Sequence, residues 1–296
     1  MSTRTDLYQS VTDQVVAALE AGTPPWICPW ATTPEQAIPA NLSSGRPYRG
    51  INVLLLNMVQ MMRGYGLNRW LTFNQARALG GCVRKGEHGS TVVFFKLLER
   101  DEAANDARRK VIPLLRSFTV FNAAQVDGLP EALTVTAPMP EGWSPVEAAE
   151  AVLLASGAVI RHGGDKAFYR PADDTITLPP AAQFPQAASY YATALHELTH
   201  WTGAPGRCNR LLLGRQHIEA YAFEELVAEM GAAFLCSHVG LVGELQHASY
   251  ISHWLEALKS DKRLIFTAAS LAQKAADFVL PQPADIPQTA VAGVPA

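Results

Sequence analysis

Tyr190-Tyr191-Ala192-Thr193-Ala194-Leu195-His196-Glu197-Leu198-Thr199-His200-Trp201 is the stretch whose reading decides the fold. Its composition favours a helix, and two histidines four residues apart on a helix share one face, so both imidazoles can reach a single ion. Glu197 lies about 100° round the helix from His196, where it can sit beside a metal-bound water without being a ligand. Metal-assisted hydrolysis needs this arrangement. The metal lowers the pKa of its water toward ~7, and the glutamate takes the proton and can deliver it to a leaving amine.

Two histidines hold zinc poorly, so a third protein ligand is expected. Ala222-Phe223-Glu224-Glu225-Leu226-Val227-Ala228-Glu229-Met230-Gly231-Ala232-Ala233-Phe234-Leu235 offers one. Glu225 and Glu229 are spaced i,i+4 on a face with Ala228, Ala232 and Ala233, small residues that let this helix pack close to the first. One carboxylate would bind the metal and the other would orient a ligand histidine. Periodicity does not say which, because a small slide of the helix swaps the roles. The pair resembles that of the gluzincin metallopeptidases, and the resemblance implies Glu225 as ligand and Glu229 as support. The bland alternative, a chance HExxH on a surface helix, leaves two acids facing a core without a cation, which is costly. Zinc is the default ion, with Mn2+ or another divalent cation as the alternative. His162, His217, His238, His247 and His253 read as surface or core residues, although His217 and Tyr221 are placed where they could polarise a substrate carbonyl.

Outward from this site the chain reads as α+β. Helices are expected over Asp6–Ala21, Ile51–Arg63 and Phe73–Leu79, the last capped by Thr72. Thr91–Leu98 and Leu114–Phe121 read as strands joined by an exposed connection, Glu99–Lys110. A Pro-punctuated linker spans 131–145. A helix over Val146–Leu154, three short strands between Ala158 and Leu178, the two metal-site helices and helices over Gln246–Leu258 and Arg263–Val279 follow. The Pro/Ala-rich end, 281–296, reads as disordered.

The 296 residues are 48% hydrophobic, enough for two domains, here 1–130 and 146–280. No apolar stretch approaches the ~18 residues of a membrane helix, and the N-terminus lacks a signal-peptide core, so a cytoplasmic protein without a membrane partner is expected. Four scattered cysteines, with no CxxC pair, suggest neither a disulfide framework nor a cysteine metal site.

A net charge of −3 conceals an asymmetry. Residues 43–98 hold eight Arg/Lys against the single acid Glu87, or +7, whereas the remainder holds 16 basic and 26 acidic residues, or −10. One region is built to meet an anion. Within it, Arg46, Tyr48, Arg49, Arg69, Trp70, Arg84 and Lys85 interleave cations, aromatics and glycines. Such a mixture suits single-stranded nucleic acid better than groove reading, with cations on phosphates and rings on exposed bases. The plainer alternative makes Trp26, Trp30, Trp70 and Phe73 core residues and the arginines a solvated face.

Taken together these segments resemble the ArdC-type antirestriction proteins of conjugative plasmids. The N-terminal part is similar to a region shared with some plasmid primases. The resemblance rests on Pro29-Trp30, Gly45 to Asn52, Trp70-Leu71-Thr72-Phe73, Gly80-Gly81 with Val83-Arg84-Lys85-Gly86, and Val120-Phe121-Asn122 with Gln125. It continues in His196 to Gly203, Glu224 to Leu235, Ala268-Ala269-Ser270 and Ala272-Gln273-Lys274-Ala275-Ala276. It implies an N-terminal single-stranded-DNA-binding domain and a C-terminal zincin-like metalloprotease domain, acting on an unidentified protein to protect incoming DNA from restriction. A DNA-binding protector with accessory or absent proteolysis is the alternative.

Overall fold

The computed structural model describes residues 6–22, 25–26, 38–100, 110–134, 144–212, 218–241 and 250–281. Trp30 and the residues around it, residues 101–109 of the hairpin connection, the centre of the 131–145 linker, His217, His247 and the 282–296 tail lie outside the described residues.

Helix α1 (Leu7–Glu20) starts where the Asp6 carboxylate accepts from Gln9 N at 3.2 Å, and α2 (Ile51–Arg63) ends at Gly64, whose φ of 66° needs no Cβ. Thr72 and Gln75 form a reciprocal capping box on α3 (Phe73–Ala78). Around these helices, β1 (Ala40–Asn41), β2 (Arg69–Leu71), β4 (Ser90–Arg100) and β5 (Lys110–Asn122) form a sheet in the order β1-β2-β5-β4. Its β1–β2 pair is parallel and the others antiparallel. Two-residue strands β3 (Cys82–Val83) and β6 (Val126–Asp127) pair separately. The β4–β5 hairpin is longer than its sequence pattern suggested: Glu99, Arg100 and Lys110, expected in the connection, are ladder residues. Asn52 clamps α2 to β4, donating to Val93 O and accepting from Val93 N, both at 2.8 Å.

The linker region contributes a helical turn, α4 (Glu131–Thr134), and Ser144, which caps α5 (Pro145–Ser156) with Pro at its first position. Strands β7 (Val159–His162), β8 (Phe168–Arg170) and β9 (Thr175–Leu178) form the second sheet in the order β7-β9-β8, with β8 antiparallel. Helices α6 (Ala187–Thr202), α7 (Ile218–Val239), α8 (Ile251–Ser260) and α9 (Leu264–Val279) complete the C-terminal lobe. The sequence expected these four, with α8 drawn to start earlier, in residues that are not described. Alanines let α9 lie close against α7: Ala268, Ala269, Ala272, Ala275 and Ala276 are all fully buried.

The largest core crosses the two halves of the chain. Val11, Val15 and Leu19 of α1 and Val53, Leu54 and Leu55 of α2 share it with Leu195, Leu226, Trp254 and Ala269. Polar contacts reinforce the join, with Thr12 Oγ1 donating to Lys262 O at 2.8 Å and Gly50 N donating to Gln273 Oε1 at 3.0 Å. Among the described residues no helix is long and apolar enough to cross a membrane.

Candidate metal centre

Helix α6 places His196 and His200 on one face with their Nε2 atoms 3.1 Å apart and their rings nearly perpendicular, at 80°. Helix α7 brings Glu225 to the same point. Its Oε2 is 3.4 Å from His196 Nε2 and its Oε1 is 3.7 Å from His200 Nε2. Among the described residues these three form the group able to hold a metal ion, with ligand atoms within 4.8 Å of one another.

The donor set fits a divalent cation. Ligands about 2.0–2.1 Å from a tetrahedral ion lie roughly 3.3 Å from each other, close to the separations found. Charge leads to the same conclusion. Glu197, Glu224, Glu225 and Glu229 are all buried, and Arg210 is the single buried arginine or lysine among the described residues. A cluster of buried carboxylates favours a further positive charge beside it.

A second layer holds His200 in place. Its Nδ1 lies 3.2 Å from Glu224 Oε1. Arg210 grips that same carboxylate, donating from Nε to Oε2 at 3.0 Å and from Nη2 to Oε1 at 2.8 Å. The guanidinium also donates to Thr202 Oγ1 at 2.8 Å and Thr199 O at 2.6 Å. A tight return of the chain after α6 delivers Arg210. Asn209 takes a positive φ of 48°, and a Cβ on Gly203 would stand 2.7 Å from Leu212 Cδ2 and 3.1 Å from Arg210 Nη2. With Nδ1 committed to Glu224, the Nε2 of His200 is directed at the ion position.

The electrostatics follow from burial and these partners. Desolvation pushes His196 down, toward the neutral form that ligates metal. Burial opposes the charge on His200 as well, but its bonds to Glu224 and Glu225 outweigh burial and raise it. Burial also works against Glu225, yet hydrogen bonds from His196 and His200 hold its carboxyl well below the usual range. Glu224 is held down against burial in the same way, by His200 and Arg210.

Glu197 is buried on α6 beside His196, as the spacing requires. Glu229 is buried one turn beyond Glu225, outside the three-residue group. The close approach of α7 to α6 depends on Gly231, where a Cβ would fall 2.5 Å from Thr199 Cγ2. The sheet is tied to the end of α6 by Arg207, which stacks 3.9 Å over Trp201 and donates to Asp174 at 3.0 Å. Asp174 accepts from Tyr169 OH at 2.8 Å. His162, His238 and His253 are exposed, and Tyr221 packs on Tyr250 with ring centroids 5.9 Å apart.

The basic window divides. Arg46 and Lys85 are exposed and form no ion pair among the described residues. Arg49 is paired with Asp277 of α9. Arg84 is bound to Glu87 at 2.8 Å and Asp127 at 3.3 Å. Arg69 donates to Ile38 O and Asn68 O, both at 3.3 Å. Tyr48 is half-buried, and burial raises its hydroxyl pKa. Trp70 is fully buried with its Nε1 donating to Asn68 Oδ1 at 2.7 Å, so its ring packs the core and has no face open to a base. Sequence reasoning missed Glu224 and Arg210. The Glu224-Glu225 doublet was a usable signal for the first, whereas nothing local marks the second.

Comparison with known proteins agrees with this geometry. Residues 5–121 match the family described as the N-terminal domain of anti-restriction factor ArdC, and residues 147–271 match that described as zincin-like metallopeptidase. The chain is 42% identical to uncharacterized protein y4eC of Sinorhizobium fredii (strain NBRC 101917 / NGR234), covering 98% of this chain and 97% of that one. It is 41% identical to DNA primase TraC of Escherichia coli over 92% of this chain, but only 27% of the primase. Crystal structures of the antirestriction ArdC protein from plasmid R388 superpose with a TM-score of 0.76 at 46% identity. They cover 93% of this chain and 96% of the metal-free or 97% of the Mn(II)-bound one. The chain thus belongs to the ArdC antirestriction proteins, with an ArdC N-terminal domain followed by a zincin-like metallopeptidase domain.

Proposed function

We propose that this protein protects entering conjugative DNA from host restriction in the cytoplasm by holding single-stranded DNA through residues 1–130 and cleaving a protein with residues 146–280. The observation that carries the reading is the convergence of His196, His200 and Glu225 within 4.8 Å, in a chain 46% identical to an antirestriction protein with a Mn(II)-bound structure. Zinc, or manganese in its place, would supply Lewis acidity there, polarising a scissile carbonyl and acidifying a water. Glu197, beside that position, would act as the base that takes a proton from the attacking water and returns it to the departing amine nitrogen. Glu224, held by Arg210, fixes the tautomer of His200, and Glu229 supports the site from the next turn of α7. In the N-terminal half, Arg46 and Lys85 supply exposed cations for phosphates.

Glu197→Gln tests this reading, because it keeps the side chain's size and removes the base. In cells carrying a restriction system, incoming conjugative plasmid should survive with the wild type and be lost with the variant. Soluble expression and single-strand binding should be equal in the two. Full protection by the variant would contradict a catalytic role and leave a DNA-binding protector.

A further inference from the structure

The β4–β5 hairpin presents two aromatic rings to solvent. Phe94 and Phe118 are 47% and 48% exposed, with ring centroids 6.4 Å apart in an edge-to-face pair. Arg116 is the cross-strand partner of Phe94 and is exposed beside it. Side chains alternate along strands, which puts Phe94, Arg116 and Phe118 on the same face as Val92 and Val120. Nearer the base of the hairpin this face is covered: Val92 and Val120 pack with Leu56, Trp70, Val59 and Tyr65. Further out, Phe94 and Phe118 stand outside that cluster. On the opposite face at the same level Thr91, Ser117 and Thr119 are exposed and polar, while Val93, across from Ser117, is buried in the largest core. The hairpin thus meets the core through Val93 on one face, while the other carries an aromatic pair that is about half exposed.

We propose that Phe94 and Phe118 are a base-stacking platform for single-stranded nucleic acid, with Arg116 contacting its backbone. This rests on the single-strand reading above and names its contact residues. The choice of occupant follows from charge. Residues 43–98 carry eight cations against Glu87 alone, and Glu87 is itself committed to Arg84 at 2.8 Å and to Gln125 at 2.9 Å. At the other end of the aromatic face, Arg63 and Arg84 lie within electrostatic reach of Tyr65, which packs edge-on against Trp70 at 6.0 Å. An exposed ring pair beside Arg116 matches a strand that offers π-faces and phosphates in alternation.

The test compares the full chain with Phe94→Ala/Phe118→Ala, Phe94→Trp/Phe118→Trp and Arg116→Ala, titrating a fluorescent oligothymidylate at several salt concentrations. The alanine pair should weaken binding between about five-fold and a hundred-fold for each base unstacked, with an unchanged salt slope. The tryptophan pair should restore or exceed wild-type affinity, which a merely folding-related loss would not allow. Arg116→Ala should lower the slope by about 0.7. Wild-type affinity in the alanine pair would overturn the platform and leave the single-strand reading standing. Failure of the wild type to bind would overturn both. Unchanged binding with a shift from dimer to monomer would make the patch a self-association surface and overturn the proposal.

Discussion

Glu224→Ala is expected to lower stability by about 3–5 kcal/mol, because it strands the Arg210 guanidinium in a buried site without its carboxylate. The total stability of a domain is only about 5–15 kcal/mol, so a fall of many degrees in the thermal midpoint should follow. His200 also loses the acceptor of its Nδ1, and metal affinity should drop about 10- to 100-fold. A second variant separates the two effects. Glu224→Ala with Arg210→Met removes both buried charges, which is often neutral for stability, yet leaves His200 unoriented. Thermal unfolding should recover while chelator competition still reports weakened metal. If the double variant is no more stable than the single, the loss in Glu224→Ala does not come from the stranded charge.

Glu225→Ala should reduce metal affinity by more than about 100-fold, beyond the range of a supporting residue. Among the described residues the variant leaves two imidazole nitrogens, at 3.1 Å, from the three-residue group. Glu229→Ala should stay within that supporting range, since Glu229 stands outside the three-atom convergence. Chelator competition on the two purified variants checks this, and the reverse ranking would exchange their roles.

Much of this site was legible as spacing. The four-residue separation of His196 and His200 fixes their shared face wherever the helix lies, and the Glu225/Glu229 pair marked the partner helix. Which glutamate meets the histidines is a matter of how α7 seats on α6. The seating depends on a contact between Gly231 and Thr199, 32 residues apart in sequence. Glu224 lies about 100° from Glu225 and so escapes any search at i,i+4. Arg210 reaches the site through a loop whose path depends on Gly203 and a positive φ at Asn209. In the N-terminal half the excess charge was plain, but its disposition was not. Arg49 finds its acid 228 residues away, and Trp70, which looked equally suited to stacking, is fully buried. Phe94 and Phe118 sit in runs, Val92-Val93-Phe94-Phe95 and Phe118-Thr119-Val120-Phe121, whose pattern does not say which ring faces out. The hairpin register decides that. The N-terminal helix α1 likewise read as part of the first half, yet it buries its apolar stripe in the core it shares with Trp254 and Leu258.

The most direct test of the metal centre is a crystal of this protein soaked with zinc or manganese and measured at the metal's absorption edge. A single anomalous peak is predicted, bonded to Nε2 of His196, Nε2 of His200 and the carboxylate of Glu225, with Glu224 still on His200 Nδ1. A peak bonded by Glu229 or Glu224 in place of Glu225, or no peak between the two histidines, would contradict the account.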